Sequence, residues 1–175
     1  MRKVKLFIAA SIDGYIARAD GNLDWLSMVE QPGEDYGYEA FVKTIDTVIV
    51  GRKTYDKVLS MGVDFPHTDK KCYVITRTER PAVGNLVFYT GKLEMLVSQL
   101  KQEDGKDIFC DGGAEILTAL FQHNLIDECI LSVIPVLLGN GIRLFNDGRP
   151  ETLWQLVTSR SFASGLVQLH YQLKR

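Results

Sequence analysis

Thr47-Val48-Ile49-Val50-Gly51-Arg52-Lys53-Thr54-Tyr55 is the stretch whose reading decides the fold. Thr47 to Val50 is a β-branched run, Gly51 closes it, and a helix is expected from Arg52 or Lys53 towards Leu59. A strand that passes straight into a helix is the repeating unit of an open α/β sheet. Outward from this point the same alternation recurs. Upstream, Val4 to Ala10 is short, apolar and free of Gly and Pro, which reads as a buried strand closed by Ser11-Ile12-Asp13-Gly14. A loop runs on through Gly21-Asn22, Asp24-Trp25-Leu26 begins a short helical turn, and Pro32-Gly33 breaks the chain. From Asp35 the spacing of Tyr38, Phe41, Val42 and Ile45 predicts a helix with one apolar face. Downstream, Met61 to Lys71 reads as an irregular connection. Strands follow at Cys72–Ile75, Leu86–Tyr89 and Asp107–Cys110, with helices over Leu93–Gln102 and Ala114–His123.

After Asp127 the pattern changes. Glu128 to Val136 and Leu153 to Ser159 are strand-like, and Leu166 to Leu173 alternates as a half-exposed strand, antiparallel at the end of the sheet. The expectation is one α/β domain over residues 1–175, in three layers: a mostly parallel central sheet with antiparallel C-terminal strands and helices on both faces.

Composition narrows the function. Of 175 residues, 46% are hydrophobic and 24% charged, the balance of a folded globular chain and not of a disordered one. Twenty Lys and Arg against 22 Asp and Glu leave a formal charge of -2, which excludes a nucleic-acid partner held by bulk electrostatics. No apolar stretch approaches the ~20 residues of a membrane span. The run Leu6 to Ala10 is too short for a signal-peptide core. Cys72, Cys110 and Cys129 are odd in number and far apart, against a disulfide framework, and no His/Cys/Asp spacing suggests a metal. A cytoplasmic protein with a small-molecule substrate, no nucleic acid and no membrane is expected.

Three strand ends carry chemistry. At Gly51-Arg52-Lys53-Thr54 a helix start offers unpaired N–H groups and a positive dipole end, with two mobile charges and a hydroxyl beside them. This is a phosphate site or a solvated basic first turn. At Asp111-Gly112-Gly113-Ala114-Glu115 two glycines admit backbone shapes closed to other residues, either to cradle a pyrophosphate or simply to turn tightly. Ile75-Thr76-Arg77 ends another strand. Ligands of open α/β sheets gather at the carboxyl ends of strands, so one shared anionic ligand is favoured over three unrelated coincidences. Arg52 and Arg77 could clamp its phosphate.

Leu6 to Ala17, Val48 to Tyr55, Ile75 to Arg77 and Asp107 to Leu117 resemble, in order, segments of the dihydrofolate reductase fold. Asp111-Gly112-Gly113-Ala114, Leu125-Ile126-Asp127-Glu128 and Pro135-Val136-Leu137-Leu138-Gly139-Asn140-Gly141 are similar to one branch of it. That branch holds the reductase domain of the bifunctional riboflavin-biosynthesis protein and its stand-alone relatives. The resemblance implies NADPH as cofactor, lying across the strand ends. Ala9 and Ile16 would contact the nicotinamide, and Gly51, Arg52, Lys53 and Thr54 the phosphates, Arg52 near the 2′-phosphate. Thr76 and Arg77 would border the adenosine end, and Gly112, Gly113, Ala114 and Glu115 the pyrophosphate, with the Gly112–Gly113 peptide cis as in relatives.

On the substrate side the resemblance implies a carboxylate on the helix before the Gly-Arg strand. Asp35 falls there, and Glu39 one turn onward is the alternative. From the sequence alone, a helix-start acid stabilised by the dipole is favoured over catalysis for Asp35. Trp25 matches a tryptophan of dihydrofolate reductases, but Asp24 stands where they carry proline, and Gln31-Pro32-Gly33 lengthens the connection. The activity implied is hydride transfer to a C=N or C=O bond, of a ribosylamino-pyrimidine as in riboflavin synthesis or of a dihydropterin; a protein that binds NADPH without turnover is the reading of another class. Relatives pair through C-terminal strands, and the apolar run Ile130 to Leu138 is compatible with a homodimer. His67 reads as a polar-loop residue, His170 as one on an exposed strand face, and Asp13 as a turn former.

Overall fold

The computed structural model describes residues 1–174. Its strands are β1 Val4–Ser11, β2 Tyr15–Ala17, β3 Ile45–Gly51, β4 Lys71–Ile75, β5 Leu86–Tyr89, β6 Asp107–Gly112, β7 Glu128–Ile134, β8 Ile142–Arg143, β9 Trp154–Ser161 and β10 Val167–Leu173. The helices are α1 Tyr38–Val42, α2 Arg52–Ser60, α3 Leu93–Gln102 and α4 Ala114–Gln122, with a 3₁₀ turn over Asp24–Val29. Eight strands form one sheet in the order β5-β4-β3-β6-β1-β7-β10-β9, while β2 and β8 pair separately. Neighbours from β5 to β7 are all parallel, and β10 runs against both β7 and β9. The α/β class and the mostly parallel sheet are therefore as expected.

Period-2 alternation sends side chains of the central strands to two different cores. On one face Val4, Leu6, Ile49, Ile108 and Cys110 pack against Leu96, Val97 and Leu100 of α3 and Leu117 and Leu120 of α4. On the other, Val48, Val50, Cys72, Val74 and Phe109 pack against Phe41 of α1 and Tyr55 and Val58 of α2. Beside this second core, Trp25 and Val29 of the 3₁₀ turn cover Ile134 and Leu166. Each fully buried Leu contributes roughly 2 kcal/mol from removed apolar surface, so both faces need their helices. At the amino ends of the strands, Arg2 donates to the Asp46 carboxylate and to Thr47 Oγ1, and Lys5 pairs with Asp107 at 2.8 Å. These contacts fix the start of β1 against β3 and β6 and leave the carboxyl ends free for other work.

Several elements depart from expectation. The helix expected from Asp35 to Ile45 is only Tyr38–Val42, because Gly37 takes a left-handed φ of 84° ahead of it and Ile45 joins β3. The strand expected to reach Val136 stops at Ile134, where Pro135 lacks the N–H a ladder needs. β10 is half-exposed as expected, but its residues do not sort cleanly into one covered and one open face. Gln168 is buried, donating to Tyr36 O at 3.0 Å and Ser132 Oγ at 3.2 Å, while Val167 is 39% exposed. His170 is half-buried with Nε2 3.4 Å from Glu128, so it does not stand on an open face as expected. β7 lies inside the sheet between β1 and β10, so the Ile130–Ile134 part of the apolar run is not an open pairing surface.

Candidate functional site: three strand ends and a half-buried acid

The strands that carry the three chemical turns, β4, β3 and β6, are immediate neighbours. Their register sets Gly51 beside Ile75 and Val50 beside Gly112, so the turns leave the sheet at one level. Two helices begin there, α2 after Gly51 and α4 after Gly113, and neither start has a side-chain cap. Their first N–H groups thus remain unsatisfied donors at adjacent positive dipole ends. The Gly112–Gly113 peptide is cis, and Gly112 has a left-handed φ of 93°. A Cβ on Gly113 would stand 2.7 Å from Thr54 Oγ1, and one on Gly51 would stand 3.3 Å from Gly113 N. Bare backbone is therefore required where the two turns meet.

Charged side chains rim this edge. Lys53 Nζ reaches across from α2 to Glu115 Oε1 of α4 at 2.5 Å. Glu115 is held below the usual carboxylate range first by its hydrogen bond to Lys53, with Arg77 adding to the effect. Arg77, Lys53 and Glu115 are thus brought together. Arg52 leans along its own helix to Asp56 at 3.0 Å instead. Thr76 is buried, its hydroxyl accepting the Thr78 N–H at 3.1 Å. The arrangement fits two linked phosphates: uncapped helix starts supply the donors, glycines the approach, and Lys53 and Arg77 the counter-charge.

Ala9 and Ile16 lie on either side of the loop after β1. Ala9 packs at the Trp25–Ile134 cluster, whereas Ile16 packs at the edge of the α3/α4 core. The loop between them is fastened by Asp13, whose carboxylate accepts from Leu138 N at 3.1 Å, Gly139 N at 2.7 Å and Ser11 Oγ at 2.6 Å. Asp13 therefore does more than shape its own turn: it ties the loop to the Leu138-Gly139 turn. Further along, Gly21 O accepts from Lys57 Nζ of α2, so the loop spans from β1 to the α2 side of the edge.

The substrate side differs from expectation. Asp35 is exposed, and its two oxygens accept the Gly37 and Glu39 N–H groups, each at 2.8 Å. Those backbone bonds hold its carboxyl below its ordinary range, which keeps it ionised. It caps α1 and has no proton to give at neutral pH. The structure does not bring it to the strand-end residues, and Glu39 is exposed and paired with Lys43 at 3.0 Å. A second acid stands at the strand ends: Asp111, next to last in β6, lies where the β3–β6 register shifts and is close enough to Tyr38 and Cys72 for its charge to be felt there. Burial pushes its carboxyl up to about 7. It has no hydrogen-bond or ion-pair partner among the described residues. Sequence reading passed over it as part of the Gly-Gly turn, and the register shift at Asp111 left alternation along the strand no signal of its surroundings.

A mostly parallel sheet with two glycine-lined turns at the carboxyl ends of its central strands is the architecture of the dihydrofolate reductase-like superfamily. The RibD C-terminal domain model matches residues 2–168, and the chain belongs to that family. It is 43% identical to the uncharacterised protein YwjB of Bacillus subtilis over 171 residues, 97% of each chain. In structure it is similar to a putative riboflavin biosynthesis protein from Shewanella sp. PV-4, with a TM-score of 0.89, 31% identity and 99% of both chains covered. A diaminohydroxyphosphoribosylaminopyrimidine deaminase/5-amino-6-(5-phosphoribosylamino)uracil reductase from Thermotoga maritima shares the fold at a TM-score of 0.72 and 17% identity. There 99% of this chain covers 57% of that one. No helix among the described residues is long and apolar enough to cross a membrane, and no group of His, Cys, Asp and Glu among them could hold a metal ion.

Proposed function

We propose that this chain is an NADPH-dependent, RibD-like reductase acting on a C=N or C=O bond of a pyrimidine- or pteridine-type substrate. The observation that carries the reading is the meeting of two uncapped helix starts on bare glycine backbone at adjacent strand ends. Family membership and the likeness to a riboflavin biosynthesis protein support it. NADPH would supply the hydride, and the protein's own contribution is binding, orientation and a proton.

Gly51, Lys53, Thr54, Gly112, Gly113 and Ala114 hold the diphosphate through backbone donors, with Thr54 pressed on Gly113. Lys53 is paired with Glu115 in the free protein and exchanges that partner for phosphate. Arg52 reaches the 2′-phosphate by leaving Asp56, with Thr76 and Arg77 beside the adenosine. Ala9 and Ile16 border the nicotinamide. Asp111 gives the proton that the reduced nitrogen or oxygen requires, since a carboxyl near 7 is still half protonated at neutral pH. Asp35 serves α1 and takes no part in the chemistry.

The substrate favoured by family membership is a phosphoribosylamino-pyrimidine whose opened sugar presents the C=N bond. Purified protein is mixed with NADPH and, in turn, 5-amino-6-(5-phosphoribosylamino)uracil and dihydrofolate, and the loss of NADPH absorbance is followed. Loss dependent on the pyrimidine supports the reading; loss only with dihydrofolate moves the substrate class; tight NADPH binding with no turnover of either leaves a binding protein. We also propose a homodimer. β9 is the edge strand, and Leu153, Leu156, Val157 and Val167 on or beside it are 68%, 48%, 47% and 39% exposed.

A further inference from the structure

Three arginines stand near the carboxyl ends of β3 and β4, and the structure sorts them into two groups. Arg77 lies with Lys53 and Glu115, towards α4. Arg52 and Arg80 turn the other way and share one carboxylate. Asp56, one turn along α2 from Arg52, presents Oδ2 to Arg52 Nε at 3.0 Å and Oδ1 to Arg80 Nη1 at 3.9 Å. The first contact is a hydrogen bond, whereas the second is an ion pair too long to be one. The three side chains are only about half-covered, so water and salt screen both contacts and they add little to the stability of the fold. A stronger anion can displace such a partner at small cost.

Arg80 is nevertheless held in place. Its guanidinium lies over the ring of Phe88 in β5, with Cζ 5.4 Å from the centroid. Phe88 is braced in turn by Tyr55 of α2, edge-on at 5.8 Å. The turn that carries Arg80 is tied to the sheet, because Thr76 N–H donates to Tyr89 O and the Thr76 hydroxyl accepts the Thr78 N–H. Beside Arg80 is an open cavity of about 520 Å³ lined by Glu79, Arg80, Pro81, Phe88 and Thr90. The diphosphate site lies over β3 and β6, with Ala9 of β1 to one side and β4 and β5 to the other. The cavity and the two arginines are therefore at the end of the site away from the nicotinamide.

Resting on the reductase reading above, we propose that Arg80 is the second arm, with Arg52, of a clamp for the cofactor's 2′-phosphate, and that Asp56 is the anion which that phosphate displaces. Two guanidiniums already drawn to one carboxylate are set for an anion with more charge and more acceptor oxygens, which forked donors bind well. NADH offers no such group, so with NADH both arginines stay on Asp56. The choice between the two cofactors is then the gain of two arginine–phosphate contacts set against the loss of two screened ones. Arg77 is not part of this clamp.

Calorimetry on the full chain tests this with adenosine 2′,5′-bisphosphate, NADPH and NADH. Arg80→Ala is a surface change and should leave Tm near that of wild type. It is expected to weaken the bisphosphate and NADPH roughly tenfold or more, with NADH within about twofold. Arg80→Lys keeps the charge without the fork and should restore only part of the loss. Asp56→Asn removes the competing anion and should tighten NADPH and the bisphosphate several-fold while leaving NADH unchanged. Unaltered NADPH affinity in Arg80→Ala, or equal losses for NADPH and NADH, would overturn the clamp. Unchanged or weaker NADPH binding in Asp56→Asn would overturn the displacement. A wild-type protein that binds the bisphosphate but oxidises no NADPH defeats the reductase reading instead, and the Arg80→Ala comparison still decides the clamp.

Discussion

Asp111→Asn tests the site through stability as well as activity. The wild-type carboxyl titrates near 7 in the folded chain and near its ordinary 3.8 in the unfolded one. Between those values the native state holds a proton that the unfolded state has released. Wild-type stability must therefore fall as pH rises through that window, with the loss complete above about pH 7. A shift of about three units corresponds to roughly 4 kcal/mol at 1.36 kcal/mol per unit. Because the side chain is only half-buried, water at its open side screens part of this, and about 2–4 kcal/mol is expected. The amide is neutral throughout and similar in size. The difference between variant and wild type should thus be small at pH 4 and favour the variant by about 2–4 kcal/mol at pH 8. For a chain of this length each kcal/mol moves Tm by roughly 2–4 °C. Urea unfolding at pH 4, 6 and 8 reads the free energies directly. The same variant should lose turnover at least a hundredfold while keeping NADPH affinity. A stability difference that does not change with pH would show that Asp111 is an ordinary solvated carboxylate and would remove it from the role of acid.

Gly113→Ala places a methyl against Thr54 Oγ1 at 2.7 Å. NADPH affinity by calorimetry should weaken at least tenfold with the far-ultraviolet circular dichroism unchanged; equal affinity would refute the glycine cradle. Asp35→Ala removes a helix cap and should cost about 1 kcal/mol in urea unfolding. Its turnover should stay within twofold of wild type, and a large fall would return the acid role to Asp35. Leu156→Lys on the exposed edge strand should convert a dimer to a monomer in sedimentation velocity. A wild-type monomer at the same concentration would defeat the proposed pairing.

Much of this architecture was legible because its signals are local. The passage of Thr47–Val50 through Gly51 into a helix, and of Asp107–Cys110 through Gly112-Gly113 into another, identifies βα units by residue type alone. What the chain does not display is the order of the strands. That β4, β3 and β6 are neighbours comes from crossovers whose choice of side depends on packing of the whole, so the convergence of three turns could be argued but not read. Alternation along β10 marks a half-exposed strand without saying which residues are covered; Ser132 and the Tyr36 carbonyl decide it for Gln168 by satisfying its amide. Asp35 illustrates the limits of counting. The acid lies close in sequence to α1, but the left-handed Gly37 and two N–H donors turn it to capping. Asp111 was hidden by its glycine neighbours, and the Arg80–Asp56 contact joins two elements at a separation where sequence spacing carries no information.

Calorimetric titration of the full chain with NADPH tests the central claim most directly, run beside a Gly113→Ala control and at two salt concentrations. The account predicts saturable binding of one NADPH per chain, weakened by salt because phosphates meet Lys53, Arg52 and Arg77, and weakened further by the alanine. Absence of heat and of any change in Tm at millimolar NADPH would contradict it.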